Sequence, residues 1–272
     1  MMGFPKGGVK DAFPCKPYRK ALWLMLARTL ALSTALGVAL LPAVAQPAPA
    51  ASVQRIAAPG PQGGGESGEE GGARGGGGRS AVTAAELLAR VDGCTRISQG
   101  LYRTDLRTAA TVPVCDAGGA VFWRADLDVN CDGQATPRCN TGADPYFLEQ
   151  TAFRQSDGRP LNAETLPFVV VPAPSGLWRY PDWGIRGGSV VAVVHGGTVR
   201  YGVVGDTGPA GIIGEASHAM AAALGIDPDP RSGGVGSGVT YILFKGSRVA
   251  PIEDHAAAVT QGDALARAFL QG

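Results

Sequence analysis

Lysine and histidine are scarce in this chain, and its positive charge is unevenly placed. Of the 272 residues, three are His, and Lys245 is the only lysine after residue 80. Residues 81–272 hold 15 Lys and Arg against 19 Asp and Glu, a net charge of about −4. Because nucleic-acid binding usually needs a basic face, we expect no nucleic-acid partner. A mildly acidic domain suits a cationic ligand, although such a charge is also ordinary for a soluble protein.

Several common catalytic and membrane motifs are also missing. There is no G-x-S-x-G elbow and no Ser-His-Asp spacing, which argues against a serine hydrolase. The glycine-rich stretch GGVGSG at 233–238 has no lysine, so it does not predict a phosphate-binding loop. After the amino-terminal region, no apolar run approaches the roughly 20 residues that span a bilayer.

The amino-terminal region has the pattern of an export signal. Basic residues lead, an apolar run follows at 29–41, and a small-x-small cleavage pattern at Ala43–Ala45 precedes Gln46. We therefore predict a signal peptide at 1–45 and a secreted, extracellular protein with no membrane contact after cleavage. A start at Met25 is an open alternative, and a membrane anchor is disfavoured because the apolar run is too short.

A low-complexity tract follows the signal. Residues 46–80 are rich in Gly and Pro and include GGGESGEEGGARGGGG. Such a composition cannot bury enough apolar surface to offset the entropy lost on ordering, so 46–80 is predicted to be a disordered linker. The remaining residues, 81–272, are enough for a single domain with a sizeable core.

The cysteines predict two disulfides. Cys15 falls within the signal, and Cys94, Cys115, Cys131 and Cys139 remain. An even count in an exported protein indicates disulfides, with three connectivities open. Pairing sequence neighbours, Cys94 with Cys115 and Cys131 with Cys139, is favoured because it closes the smallest loops. A zinc site is the alternative, and it lacks a C-x-x-C pair or a nearby His.

Hydrophobic periodicity predicts a mainly β domain with helical insertions, of the α+β class. We expect a compact six-stranded β-barrel and, by analogy with known barrels, the double-psi type. The predicted strands lie at 120–127, 166–171, 189–194, 198–205 and 239–245, and the strands at 189–194 and 198–205 are predicted to form a hairpin. The predicted helices lie at 83–91, where Thr83 and Glu86 form a capping-box pattern, at 215–224, and from Asp254 or Thr260 to about Leu270.

The run YGVVGDTGPAGIIGEAS at 201–217 has the strongest pattern for chemistry. It places Asp206 at the end of an apolar strand and Glu215 nine residues later, at a predicted helix start. Paired carboxylates are what glycosidic bond hydrolysis requires, although turn-capping and helix-start roles are the common alternatives. Burial would raise the pKa of Asp206 and suit an acid, and a helix start would favour a charged Glu215 as base.

A block of acids precedes a possible calcium loop. The block contains Asp126, Asp128, Asn130 and Asp132, followed by Gly133. From Asp128 it matches the first half of such a loop, but Cys139 stands where a bidentate glutamate belongs. A polar turn pinned by a disulfide is the first interpretation. Asp126 or Asp128 lining a cleft and binding an amine is the second, and a calcium site is the third. We predict no metal and no cofactor.

Aromatic residues concentrate between 123 and 183. Tyr146, Trp178 and Trp183 are candidates for stacking on sugar rings, and Asp182 in the same loop as the tryptophans could pair with a substrate amine. Core packing is the competing role for these rings, since aromatic side chains are usually well buried.

Seven stretches of the chain form a specific pattern: ADLDVNCDG (125–133), DPYFLEQTAF (144–153), LNAETLPFVVVP (161–172), GSVVAVVHGG (188–197), YGVVGDTGPAGIIGEAS (201–217), LGIDPDPRSGGVGSGVTYILFKGS (224–247) and PIED (251–254). In this order they resemble the chitosanases of glycoside hydrolase family 75. That resemblance implies endo-acting hydrolysis of chitosan with inversion, Asp206 and Glu215 as the catalytic pair, and 81–272 as the catalytic domain. We expect the protein to act as a monomer.

Two other kinds of protein stay open on the sequence. One is a hydrolase or lytic enzyme acting on peptidoglycan or another polysaccharide. The other is an expansin-like carbohydrate-binding protein that loosens polymers without cleaving them, in which both carboxylates would be structural.

Overall fold

The structure, a computed structural model, describes residues 81–272, so the predicted signal peptide and linker lie outside the described residues. The elements follow in the order α1 (Ala84–Arg90), β1 (Thr95–Arg96), β2 (Cys115–Asp116), β3 (Ala120–Asn130), β4 (Phe168–Pro172), a 3-10 helix (Tyr180–Trp183), β5 (Val190–His195), β6 (Thr198–Gly208), β7 (Glu215–Ser217), α2 (His218–Ala223), β8 (Val235–Phe244) and α3 (His255–Gln271).

Six strands close into a barrel. Neighbours pair in the order β3-β7-β4-β6-β5-β8, and β8 pairs back to β3. The β3–β7 and β4–β6 pairs are parallel and the other four are antiparallel. The predicted six-stranded, mainly β barrel with helical insertions is confirmed, and its assignment to the double-psi type stays a prediction.

The strands form because alternate side chains bury on two opposite faces. Along β3, Val121 and Trp123 enter one buried cluster, whereas Ala120 and Phe122 enter the other. Strand β4 behaves in the same way, since FVVVP is buried at every position. A wall covered on both sides reads as a continuous apolar run, which is why these strands were visible in the sequence.

The first and last helices begin where their caps predict. The Thr83 hydroxyl accepts from the Glu86 N–H, and the Glu86 carboxylate accepts from the Thr83 N–H, which completes a capping box. Asp254 caps α3 by accepting from the Ala257 N–H, so it, rather than Thr260, starts the last helix. Within residues 81–272, none of the helices has the length and apolarity needed to cross a bilayer.

Both predicted disulfides are present. Cys94 bonds to Cys115, with 5.1 Å between their Cα atoms, and Cys131 bonds to Cys139 across 4.9 Å. The zinc alternative is therefore wrong. The second disulfide follows the end of β3 directly and anchors the loop that enters the cleft described next.

Candidate active site

A cleft of about 150 Å³ opens where β3, β4, β6 and β7 meet. Three carboxylates lie in its wall, and none of its lining residues is Lys or Arg. The lining consists of Asn130, Asp132, Leu148, Gln150–Ala152, Val170, Asp206–Pro209 and Glu215.

Asp206 and Glu215 flank one residue of the strand between them. Val170 of β4 pairs with Asp206 of β6 on one side and with Glu215 of β7 on the other. Directly paired residues point to the same face of a sheet, and two strand spacings separate the Cα atoms by about 10 Å. Glu215 leans back toward β6, since its Oε2 would lie 3.4 Å from a Cβ at Gly208. The two acids therefore face one another across Val170.

A β-bulge sets the direction of Asp206. Val169 pairs with Val204, but Val170 pairs with Asp206, so Gly205 is an extra residue in β6. In a regular strand Val204 and Asp206 would lie on the same face, so the bulge places Asp206 on the face of Val170 instead. Gly205 fits here because a Cβ would lie 2.5 Å from the Phe168 ring. The bulge at Gly205 thus places Asp206, an acid at the end of a strand, in the wall of the cleft.

Asp206 is buried, with 5% of its surface exposed. Its Oδ1 accepts hydrogen bonds from the backbone N–H groups of Ala152 at 2.7 Å and Thr207 at 2.8 Å. Burial raises the pKa of Asp206 to about 8, and the nearby charges of Asp132 and Glu215 add to the rise, while the two N–H donors oppose it. The predicted rise is confirmed, and its result is a carboxylic acid that holds its proton at neutral pH.

Glu215 lies in a strand, so the prediction that it begins a helix is wrong. It pairs with Asp128 of β3 and with Val170, and the helix begins only after Ser217, whose hydroxyl accepts from the Met220 N–H. Pairing on both sides holds Glu215–Ser217 extended despite the helical pattern that follows. The half-buried Glu215 carboxylate accepts from the Asn130 side-chain amide at 3.0 Å.

The loop after β3 is a polar turn, the first of the three interpretations of this acidic block. The Asp132 N–H donates to Asn130 Oδ1 at 3.0 Å, and Asp132 Oδ1 accepts from the Leu148 N–H at 2.8 Å. Gly133 follows with φ of 121°, and a Cβ there would lie 2.0 Å from the Leu161 carbonyl oxygen. Among residues 81–272, no group of three or more acidic, His or Cys side chains is arranged to hold a metal.

Two predicted substrate contacts are buried in the protein instead. Trp178 is 3% exposed and packs edge-on against Trp123 with ring centroids 6.2 Å apart, so neither ring face is open to a sugar. Asp126 is 2% exposed, and its Oδ1 would lie 2.0 Å from a Cβ on Gly214. Both predictions are corrected by tertiary packing, since each side chain lies in the barrel wall or core.

The remaining predicted contacts lie outside the cleft lining. Asp128 is half-buried and shares the row of Glu215, and the half-buried Tyr146 precedes the cleft segment 148–152. Asp182 is exposed and pairs with Arg179 at 3.2 Å. Trp183 is half-buried and carries a lysine ammonium 5.0 Å from its ring. Their roles as substrate contacts stay predictions.

Sequence reasoning missed three features of the site. Asn130 was noticed only as part of a calcium-like pattern, and the backbone of Gln150–Ala152 was not singled out at all. The glycine before Asp206 was a visible signal, because a glycine inside a strand often marks a bulge. No comparable signal announced the Ala152 N–H, which is brought to Asp206 by a contact between residues 54 apart.

Comparison with known families now adds to this geometry. Residues 127–267 match the family described as fungal chitosanase of glycosyl hydrolase group 75. The chain belongs to this family. The matched region includes Asp206, Glu215 and the Asn130–Asp132 turn. It runs from Leu127 in β3 to Arg267 in α3.

Relatives within the family are similar over about half of this chain. Endo-chitosanase B of Aspergillus oryzae is 32% identical over 152 residues, which cover 50% of this chain and 63% of that protein. Endo-chitosanase C of the same organism is 30% identical over 138 residues, covering 48% and 33%. An endo-chitosanase of Aspergillus fumigatus is 28% identical over 141 residues, covering 47% and 59%. The chain thus matches less than two thirds of each relative's length.

Proposed function

We propose that this protein is a secreted, endo-acting chitosanase that cleaves β-1,4 bonds between glucosamine units with inversion. The observation that carries the proposal is the row of Asp206, Val170 and Glu215 across three neighbouring strands. It holds two carboxyl groups on one face of the wall, in different environments. Family membership and the names of the similar endo-chitosanases support the same substrate and reaction.

The environments of the two acids suggest their roles. Asp206 keeps a proton at neutral pH because it is buried, so it is proposed as the acid that protonates the leaving glycosidic oxygen. Glu215 is more open and is hydrogen-bonded through one oxygen to Asn130. It is proposed as the base that takes a proton from water as the water attacks the anomeric carbon from the opposite face.

The spacing of the acids supports inversion. Inverting enzymes leave roughly 6.5–9.5 Å between the carboxyl groups so that a water molecule fits, whereas retaining enzymes bring them to about 5 Å. The Cα separation of about 10 Å across Val170, shortened by the lean of Glu215 toward Gly208, suits the longer spacing.

The charge of the cleft suits a cationic polymer. Asp132, Asp206 and Glu215 line it, and its lining contains no basic side chain. Ammonium groups of glucosamine units would be attracted to such a wall, and polyanions would be repelled.

The proposal is tested by reducing-end release from highly deacetylated chitosan. Asp206→Asn and Glu215→Gln should each lose nearly all activity while the protein stays folded, and Asp92→Asn should keep wild-type activity, because the Asp92 side chain is 93% exposed outside the cleft. NMR of the first product should show the inverted anomer. Chitosan binding without release of reducing ends in the wild type would replace hydrolysis with an expansin-like function.

Secretion is tested separately by the amino terminus of the exported protein. Expression with the full leader in a secreting host should yield a mature chain that begins at Gln46. Retention in the cell with an intact leader would contradict the predicted signal peptide at 1–45.

A further inference from the structure

We propose that Asn130 and Asp132 act as one positioning unit, in which Asn130 orients the Glu215 carboxylate and Asp132 opposes ionisation of Asp206. The inference rests on the proposed function for its catalytic meaning. It adds two residues of one short turn to the two acids of the reaction.

The hydrogen bonds of the Asn130 side chain define which end of its amide faces Glu215. Its amide nitrogen lies 3.0 Å from Glu215 Oε1 and 3.5 Å from Asp132 Oδ2, and its oxygen accepts the Asp132 N–H at 3.0 Å. Two carboxylate acceptors on one end and an N–H donor on the other admit a single orientation of the amide. At 2% exposure, the side chain has no room to leave this arrangement.

The contact with Glu215 holds the carboxylate in one place. A strand residue with a free side chain would sample several rotamers, and the attacking water would lose its geometry with them. Asn130 thus supports the orientation of the Glu215 carboxylate.

Asp132 is held in the same cleft as Asp206. It is 6% exposed, its Oδ1 accepts the Leu148 N–H at 2.8 Å, and it lies within the same cleft wall as Asp206. The charged groups that act on Asp206 are Asp132 from the turn after β3 and Glu215 from β7, and both are negative. A negative neighbour makes ionisation of Asp206 less favourable.

The two roles fit one catalytic cycle. When Asp206 gives its proton to the leaving oxygen, Glu215 gains one from water, so the proton count of the pair is unchanged. A negative charge on Asp132 opposes ionisation of Asp206, so it favours return of a proton to Asp206 once the products have left.

Asp132→Asn tests the electrostatic half. Asn keeps the shape and can still accept from Leu148, but it removes the charge. We expect the titration of Asp206, followed by carboxyl ¹³C NMR and assigned by comparison with Asp206→Asn, to move to lower pH. The alkaline limb of kcat/KM on a soluble glucosamine oligomer should move equally. Asp92→Asn is the matched control and should move neither.

Asn130→Ser tests the orienting half. The serine hydroxyl can still accept a hydrogen bond from the Asp132 N–H in a local turn, but it is too short to reach Glu215. We expect kcat to fall at least 10-fold with KM nearly unchanged and with the melting temperature within a few degrees of wild type. An unchanged kcat would refute the orienting role, and an equal rise in KM would point to substrate binding instead.

The outcomes separate this inference from the proposed function. If Asp206→Asn remains active, the acid assignment fails, yet the NMR titration still reports whether Asp132 acts on Asp206. If Asp206 and Glu215 prove essential but Asp132→Asn leaves the titration in place, the positioning unit is wrong and the catalytic pair stands.

Discussion

Replacing the buried acid Asp206 with Asn should stabilise the protein as the pH rises, while it abolishes activity. In the folded state burial raises the pKa of Asp206 from 3.8 to about 8. In the unfolded chain the group ionises near its ordinary value. Between those limits the folded protein binds the extra proton, so the contribution of Asp206 to stability is greatest below pH 4 and is lost as pH rises toward 8.

The magnitude follows from the same shift. Each pKa unit corresponds to about 1.4 kcal/mol, and pH 7 lies about three units above the unfolded value, so the cost at pH 7 is at most about 4 kcal/mol. Asn does not titrate, and its Oδ1 can still accept the N–H groups of Ala152 and Thr207. The gain of Asp206→Asn over wild type should therefore be smallest at pH 4, grow through pH 7 and level off above pH 8.

Guanidinium denaturation followed by tryptophan fluorescence at five pH values from 4 to 8 would measure this difference. New contacts of the amide would add the same offset at every pH, so the slope of the stability difference with pH is the quantity to compare. Asp92→Asn should give a flat difference. A constant difference between wild type and Asp206→Asn across this range would refute a buried, protonated Asp206.

Three further changes test the framework of the cleft. Gly205→Ala places a Cβ 2.5 Å from the Phe168 ring, so kcat should fall at least 10-fold, and a crystal structure should show Asp206 displaced; wild-type activity would contradict the bulge argument. Trp178→Ala should cost about 3–5 kcal/mol in urea denaturation with no selective rise in KM, because the ring is core; a KM effect at unchanged stability would restore its role as a sugar platform. Changing Cys131 and Cys139 together to Ala should cost about 2–3 kcal/mol and lower kcat through the loosened turn, whereas an unchanged melting temperature would show that the disulfide constrains little.

Local patterns predicted the elements that depend on local chemistry. The cap at Asp254, the capping box at Thr83 and the hairpin of β5 and β6 each involve residues close in sequence, whose hydrogen bonds follow from residue type and spacing. The disulfide pairing was predictable for the same reason, since Cys131 and Cys139 close a short loop. Apolar runs predicted five of the six barrel strands, whereas β7 lies in the stretch predicted as the helix at 215–224.

Tertiary contacts decided the rest. Glu215 begins a stretch with helical periodicity in the sequence, yet pairing with β3 and β4 holds it in a strand. Trp178 lies in a loop rich in Gly and Pro, but the loop folds over the core and buries the ring against Trp123. The strands that pair with Glu215 and the ring that packs on Trp178 are both distant in sequence. Local periodicity therefore could not predict the strand at Glu215 or the burial of Trp178.

The catalytic candidates show the division most clearly. By itself the sequence determined that Asp206 ends an apolar strand and that Glu215 follows nine residues later, because strand periodicity and turn residues are local. Only the tertiary structure placed Val170 between the two acids and turned Asp206 toward the cleft at the Gly205 bulge. It also brought Asn130 to Glu215 across 85 positions of sequence. Chain closure over such distances depends on the whole barrel, because each contact forms only when the strands on either side are already in register.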